Sequence, residues 1–378
     1  MKYFFANTMK DKSRLKEIAK LFFKLGCIAF GGPAAHIAMM EDEVVKKRQW
    51  MTKEHFLDLI GATNLIPGPN STEMTMHCGY ERGGWRGLFV AGICFIFPAV
   101  LITGIFAFLY VEYGHLPKVE PFIYGIKPAV IAIILMAAYR LSKKAVKSMF
   151  LVVLGMIVLI ASLFGLNEFA ALFGSGLVGI LVYYATRKLN KTLTLAPLVV
   201  FELTRIGCLK IFLTFLKIGA ILYGSGYVLF AFLNTELVET GWLTSQELID
   251  AVAVGQFTPG PVLSTATFIG WQMDGASGAL AATVGIFLPS FLFVLILNPL
   301  IKKMRNSKPI GAVLDAVNVA AVALIIAVCI EMGKATLIGW RTTLIAILSL
   351  IVVFVFKKMN SAYIVLGSAV LGYLLHLL

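Results

Sequence analysis

The stretch Gly61-Ala62-Thr63-Asn64-Leu65-Ile66-Pro67-Gly68-Pro69-Asn70-Ser71-Thr72-Glu73 decides how the rest of the chain is interpreted. Proline lacks a backbone N–H and glycine adopts conformations closed to other residues, so Pro67-Gly68-Pro69 interrupts a helical stretch. The interruption recurs at Pro259-Gly260-Pro261, where Ser264-Thr265 echo Ser71-Thr72. The sequence therefore predicts two copies of a helix-break-helix hairpin.

These hairpins belong to a repeat that covers the whole chain. We predict two homologous repeats on this basis, residues 1–191 and 192–378. The further matches, in chain order, are Lys24-Leu25-Gly26 with Lys217-Ile218-Gly219, Trp50-Met51-Thr52 with Trp242-Leu243-Thr244, Asp58 with Asp250, Gly87 with Gly278, and Pro98 with Pro289.

The composition is that of a membrane protein. Hydrophobic residues make up 59% of the chain, charged residues only 14%, and the mean hydropathy is +0.87. Soluble domains carry about 25% charged residues, so too little charge is present to coat a water-facing surface. Apolar blocks such as Gly87 to Tyr110 and Leu337 to Phe356 are long enough to cross a bilayer, which takes roughly 20 residues. We expect a multi-pass protein of the plasma membrane.

Each repeat is predicted to be all-α, with about five membrane spans and one re-entrant hairpin of two half-helices. Half-helices are tolerated at membrane depth only where protein or a water-filled cavity surrounds them. An odd number of spans inverts the second repeat relative to the first, as in many transporters. The predicted helices are a broken helix at 14–47 and 207–235, the hairpin at 53–80 and 245–272, and four apolar helices at 84–111, 121–141, 148–165 and 168–186 and at 276–300, 309–332, 337–356 and 361–377.

Loop charges give a predicted topology, because cytoplasmic loops are enriched in Lys and Arg. The basic loop from Arg140 to Lys147 is placed inside, together with Arg82–Arg86. The loop Trp271 to Gly278, which carries Asp274 and no basic residue, is placed outside. The same assignment of loops to the two sides places the basic amino terminus outside. This disagrees with the enrichment of Lys and Arg in cytoplasmic loops.

Other classes of function find little support. The net charge of +13 lies in short runs beside apolar blocks, so we expect no nucleic-acid partner. The five cysteines stand singly, so neither a disulfide framework nor a metal site is predicted, and no cofactor is expected. A membrane-embedded enzyme would need a concentrated catalytic motif such as HExxH or GxSxG, and no convincing one is present.

Four motifs carry a resemblance to a known family: Phe30 to Ile37 (FGGPAAHI), Glu41-Asp42-Glu43 with Arg48-Gln49-Trp50, the Gly61 to Glu73 stretch, and Gly84-Trp85-Arg86-Gly87. The chain resembles the chromate ion transporter family in its long, two-domain form. The resemblance implies membrane transport of chromate, usually as efflux, with sulfate as the competing substrate. The second repeat departs from the motifs: Ser225-Gly226 replaces Gly32-Pro33, no histidine matches His36, and Val262 stands at Asn70, so we expect an asymmetric site.

A tetrahedral dianion needs donors on several sides, and the N-terminus of a helix supplies N–H groups and partial positive charge. The breaks at the two Pro-Gly-Pro turns and at Gly31-Gly32 restart helices in this way, and inversion would bring them together near mid-membrane. The alternative is that each break is only a packing kink. The candidate substrate-binding residues are Lys24, Gly31, Gly32, His36, Asn64, Gly68, Asn70, Ser71, Thr72, Lys217, Gln256, Gly260, Ser264 and Thr265.

Each ionisable residue proposed for function also has a possible structural role. Glu73 lies among apolar residues and is assigned either to proton coupling or to pairing with Arg82 or Arg86. Lys24 and Lys217 either face the anion or snorkel to the interface. His36 has helix packing as its alternative role. We expect a carrier for chromate or sulfate, in contact with lipid and with a homodimer left open; a passive oxyanion channel and a sulfate uptake carrier are the alternatives.

Overall fold

The computed structural model describes residues 2–30, 32–63, 66–114, 120–187, 207–223, 226–297, 308–356 and 359–377, and every regular element in these ranges is helical. In the first repeat, α1 is Lys2–Ile28, α2 Pro33–Met40, α3 Lys53–Thr63, α4 Asn70–Tyr113, α5 Glu120–Ala145, α6 Met149–Leu163 and α7 Glu168–Arg187. In the second, α8 is Cys208–Ile221, α9 Leu229–Leu233, α10 Ser245–Phe257, α11 Thr265–Leu297, α12 Lys308–Thr336, α13 Trp340–Val355 and α14 Ser361–His376. The π-helical turns Glu41–Lys47 and Asn234–Val238 extend α2 and α9, and the 3₁₀ turns Gly226–Val228 and Val262–Ser264 precede α9 and α11.

The helix breaks fall where the sequence predicts them, with one difference. The second half-helix of each hairpin runs directly into the following long helix, so that α4 and α11 are each kinked helices. The kinks lie at Gly84, with φ of 61°, and at Gly275, with φ of 56°. Because only glycine adopts such φ values without strain, each kink turns the chain within two residues. The loops expected there are therefore reduced to sharp bends.

Apolar helices confirm the multi-pass architecture. Five are long and apolar enough to cross a membrane: Asn70–Tyr113, Pro121–Ala145, Glu168–Ala185, Val262–Ile296 and Gly311–Thr336. The apolar helices α6, α13 and α14 are shorter, at 15 or 16 residues. The full set of about ten crossings, and the side that each loop faces, therefore remain predictions.

The equivalent helices α4 and α11 pack against each other. Phe89, early in the spanning part of α4, stacks on Phe291, late in α11, with ring centroids 5.4 Å apart. Thr103, late in α4, donates to Ser264, just before α11, over 3.3 Å. The inversion of one repeat relative to the other remains a prediction.

Helices are also exchanged between the repeats. α5 of the first repeat packs on α13 and α14 of the second, while α12 of the second packs on α6 and α7 of the first. At the α5–α14 contact, Gly125 and Gly372 meet so closely that a Cβ on either would strike the other's backbone. Small residues allow such close backbone contact between membrane helices. The repeats therefore interlock instead of packing as two separate bodies.

Candidate functional site

The interrupted helices of the two repeats meet through reciprocal hydrogen bonds. The N–H of Gly68 donates to the carbonyl of Leu222 over 2.6 Å, and the N–H of Gly260 donates to the carbonyl of Ala29 over 2.8 Å. Leu222 follows α8 and Ala29 follows α1, so each Pro-Gly-Pro turn satisfies a carbonyl at the end of the other repeat's broken helix. The two Pro-Gly-Pro turns and the breaks that follow α1 and α8 therefore lie in one region of the molecule.

A cavity of about 580 Å³ opens from this region. Pro33 and Asn70, the first residues of α2 and α4, line it together with Tyr227 from the 3₁₀ turn of the second repeat. The partial positive charge at the start of two helices therefore faces the same space. The charged and polar residues that line the cavity are Asn70, Arg140, Lys144, Lys147, Tyr227, Asp315, Asn318 and Ser361.

The mouth of this cavity is basic. Arg140, Lys144 and Lys147, here called the basic mouth, come from the end of α5 and the loop that follows it. Lys147 is paired with Asp315 of α12 over 2.6 Å, which leaves an excess of positive charge. Like-signed charges around a cleft with low-dielectric walls raise the local concentration of the opposite ion. Sequence reasoning used these residues only as topology markers, although their position beside an apolar helix was the available signal.

Of the predicted residues in the first repeat, the structure places Asn70 on the cavity. Gly32, with φ of 81°, is close to it, since a Cβ there would lie 3.2 Å from the Tyr227 hydroxyl. His36 is buried, with Nε2 at 3.0 Å from the Ala29 carbonyl and its ring edge-on to Phe95. These contacts match the helix-packing alternative for His36. Gly31 and Asn64 lie outside the described residues.

The hydroxyl residues that follow the two turns are buried and do not line the cavity. The carbonyl of Ser71 accepts from Thr75 within α4, and Thr72 Oγ1 is buried with no hydrogen-bond partner in the part of the chain that the structure describes. In the second repeat, Ser264 accepts from Thr103 and Thr265 donates to the Val262 carbonyl. The second Pro-Gly-Pro turn bonds the end of α1 through the Gly260 N–H, and neither Gly260 nor Gln256 lines the cavity.

Glu73 is fully buried, and neither of its carboxylate oxygens has a hydrogen-bond partner among the described residues. Its Oε1 and the Ser290 hydroxyl lie beside the Cα of Gly68. The alternative pairing with arginine is not found: Arg82 bonds Glu17 over 2.9 Å and lies over the Trp50 ring, and Arg86 lies over Trp85. Arg82 is nine residues along the helix from Glu73, roughly 13 Å of helical rise, so the two side chains cannot meet.

Lys24 and Lys217 make equivalent ion pairs and do not line the cavity. Lys24 lies 3.8 Å from Glu43, and Lys217 lies 2.6 Å from Glu236. Each pair joins the first segment of a broken helix to the turn that extends its second segment. Each lysine has a carboxylate partner within its own repeat, and a role of either lysine in binding the anion stays a prediction.

Sequence reasoning missed a buried ion pair between the repeats. The Lys127 ammonium of α5 lies 2.9 Å from Oδ1 of Asp250 in α10, at ion-pair distance but without hydrogen-bond alignment, and their side chains are 12% and 5% exposed. Tyr110 donates to the other carboxylate oxygen over 2.6 Å. A lysine inside the apolar stretch of α5 was the signal, since ionisable residues in membrane helices are rare and costly.

Comparison with known proteins agrees with this architecture. The sequence model of the family described as "Chromate transporter" matches twice, over residues 16–180 and 209–373. The chain is 32% identical to the chromate transport protein of Cupriavidus metallidurans, over 95% of this chain and 92% of that protein. It is 32% identical to a probable chromate transport protein of Synechococcus elongatus (95% of each chain) and 28% identical to the chromate transport protein of Pseudomonas aeruginosa (93% and 90%).

No solved structure matches the chain. The two family matches cover most of the sequence, and they coincide with the two sets of helices that the structure shows. The chain is a member of the chromate transporter family, and it is a multi-pass membrane transporter and not an enzyme.

Proposed function

We propose that the protein is a secondary transporter that exports chromate across the plasma membrane, with sulfate as a competing substrate. The observation that carries the proposal is the cavity where α2 and α4 begin, with its basic mouth. The names of the relatives supply the substrate, and the lining supplies groups that suit a tetrahedral oxyanion.

The donors around the cavity fit a dianion that has lost part of its hydration. Asn70 offers a side-chain amide, Tyr227 a hydroxyl and Arg140 a planar guanidinium that can hold two oxygens of one anion. In the first turn of α4 the N–H groups of Thr72 and Glu73 donate to the Pro69 carbonyl, and the start of the helix adds its partial positive charge. Such donors can replace the water around an oxyanion, and the partial positive charge at the start of a helix stabilises it further.

The membrane potential gives the proposed direction. A charge that crosses the membrane gains or loses about 2.3 kcal/mol per 100 mV, so a dianion gains about 4.6 kcal/mol on leaving a cell with a negative interior. Export therefore needs no coupled ion, whereas uptake needs a symported cation. We assign Glu73 as the proton carrier of any proton antiport, because its buried carboxyl lies next to the Gly68 turn.

Flux measurements test this proposal. Chromate entry into inside-out vesicles is measured under a potassium-diffusion potential of either sign, for the protein and for Glu73→Gln. We expect entry to be faster when the vesicle lumen is positive, and we expect Glu73→Gln to lose the pH dependence of flux. Flux that ignores the sign of the potential would show that voltage does not drive export, and full pH dependence in Glu73→Gln would give Glu73 a structural role.

The same vesicles separate the alternatives. Unitary currents and flux that does not saturate with chromate would favour a passive oxyanion channel. Sulfate entry into right-side-out vesicles that depends on a cation gradient would favour an uptake carrier. Saturable chromate flux that accelerates with chromate on the opposite side supports the proposed carrier.

A further inference from the structure

The helix caps align α5 with α12 residue by residue. Ser148 caps α6, and Gly339 stands at the same place before α13. Counting back eight residues from each cap reaches Arg140 at the end of α5 and Glu331 at the end of α12. In the second repeat, the carboxylate of Glu331 therefore occupies the position equivalent to that of Arg140, which lines the cavity.

A second pair of helix caps also aligns a carboxylate with a residue that lines the cavity. Asn167 and Asn360 each cap the next helix with a side-chain oxygen. The residues that follow them are Glu168 in the first repeat and Ser361 in the second. Ser361 lines the cavity, so its equivalent, Glu168, belongs to the corresponding space of the inverted half.

In this structure that corresponding space is closed. Glu168 accepts from the Thr235 hydroxyl, and Glu331 accepts from the Asn234 amide over 3.3 Å. Asn234 and Thr235 begin the π-helical turn at the end of the second broken helix. The two carboxylates thus hold that turn against the start of α7 and the end of α12. Glu239 and Lys334 lie near enough to act on Glu331 electrostatically.

Packing nearby agrees with closure. Ile37 and Ile60 line the open cavity, whereas their equivalents in the second repeat, Phe230 and Val252, are buried at 1% and 0% exposure. The open cavity thus lies beside the basic mouth, whereas side chains of the second repeat fill the space beside Glu168 and Glu331.

We propose that Arg140 and Glu331 set unequal affinities for the oxyanion on the two sides of the membrane, with Glu168 and Glu331 forming a gate that opens onto an acidic exit. The basic mouth captures the dianion at one side. When the gate releases Asn234 and Thr235, two carboxylates that were hydrogen-bonded face the anion from the other side and weaken its retention. This inference rests on the proposed function and adds the residues that distinguish entry from exit.

Thermodynamics limits what such charges can do. Fixed charges on the protein leave the free energy of chromate in the two compartments unchanged, so they cannot by themselves choose the net direction. They act on the half-saturation concentration at each side, through the local concentration and retention of the anion. The inference therefore predicts a low KM at the basic mouth and a high KM at the acidic exit, with the difference shrinking as salt is added.

The test measures the KM for chromate from each side, in inside-out and right-side-out vesicles held at zero potential. The variants are Arg140→Gln, Glu331→Gln and Glu331→Arg. We expect Arg140→Gln to raise the KM from the basic side roughly three- to tenfold, and Glu331→Arg to lower the KM from the other side by a similar factor, both at low ionic strength. Glu331→Gln should give a smaller decrease in the same direction.

Lys143→Gln serves as the matched control for Arg140→Gln, because it removes one positive charge three residues further along the same helix and Lys143 does not line the cavity. Equal KM values from both sides in the unsubstituted protein would overturn the inference. So would variants that change the KM from both sides by the same factor at every salt concentration. In either case, saturable chromate flux would still support the proposed function. Absence of chromate flux in the unsubstituted protein would reject both. Membrane content of each variant, measured by quantitative blot, separates a KM effect from loss of folded protein.

Discussion

The two Pro-Gly-Pro hairpins share a backbone and differ in chemistry. In the first, Asn70 opens onto the cavity, and the Gly68 turn is flanked by Glu73 and Ser290. In the second, Val262 is 8% exposed, and the Gly260 turn lies against Ala99. The backbone bonds of the two turns are reciprocal, so the fold depends on both. The difference shows that similar hairpin backbones present a polar residue to the cavity after the first turn and a buried apolar residue after the second.

The hairpins also differ in how they are anchored. Asp250 of the second hairpin is paired with Lys127 of α5, and the helix caps align Lys127 with Asn318 of α12, which lines the cavity. The second hairpin is thus fixed by a buried charge pair at a position where the other half has a neutral amide.

The largest expected effect comes from breaking that anchor. Lys127→Met leaves the Asp250 carboxylate buried without its cation, which destabilises a protein by about 3–5 kcal/mol. The measurement is the thermal unfolding midpoint in detergent, together with the amount of protein in the membrane. Asn318→Met, at the equivalent position, should leave the midpoint nearly unchanged.

The double variant Lys127→Met with Asp250→Leu is the control for this prediction. It removes both charges, and it should recover most of the lost stability because apolar replacements for a buried ion pair are often tolerated. A double variant as unstable as Lys127→Met alone would show that side-chain shape, and not the unpaired charge, causes the loss.

Substituting the glycine of either Pro-Gly-Pro turn should lower stability less than Lys127→Met does, but it should reduce transport strongly. Gly68 has φ of 137° and Gly260 has φ of 89°, values that cost an L-residue about 1–3 kcal/mol. Gly68→Val would also press on Glu73 and Ser290, whereas Gly260→Val would press on the Ala99 methyl. We expect Gly68→Val to abolish chromate flux and Gly260→Val to reduce it, with membrane insertion largely retained in both.

Gly104→Val provides the matched control, because a Cβ at Gly104 meets nothing within 4 Å. It should transport like the unsubstituted protein. If Gly260→Val proved as inactive as Gly68→Val, the two turns would be equivalent in the cycle, and the asymmetry argued from Glu73 and Ser290 would fall.

The smallest expected effect comes from exchanging the residues after the turns. Asn70→Val removes one donor to a charged ligand, worth about 1.5 kcal/mol or more, and should raise the KM for chromate about tenfold with little change in stability. Val262→Asn instead buries an amide, and should lower the unfolding midpoint while leaving the KM unchanged. Initial-rate flux and thermal unfolding of both variants check this, and the opposite pattern would place the binding site at the second turn.

Local chemistry determines where the helices of this chain begin and end. The Pro-Gly-Pro and Gly-Gly-Pro breaks and the apolar blocks gave helix bounds close to those observed, because loss of an N–H and of apolar periodicity ends a helix wherever the chain goes next. The repeat and the asymmetry of Asn70 against Val262 were also readable in the order of residues. The family resemblance rested on the same motifs.

Only the tertiary structure decided which of these residues share a space. Lys24 and Lys217 match across the repeat, and yet each turns to a carboxylate of its own repeat. Lys127 and Asp250 meet across the interlocked helices, and Arg140 lines the cavity with residues far away in sequence. Sequence spacing sets which residues lie on one face of one helix, whereas the partner of that face depends on how helices of the two repeats pack. A buried charge takes the nearest opposite charge that this packing supplies.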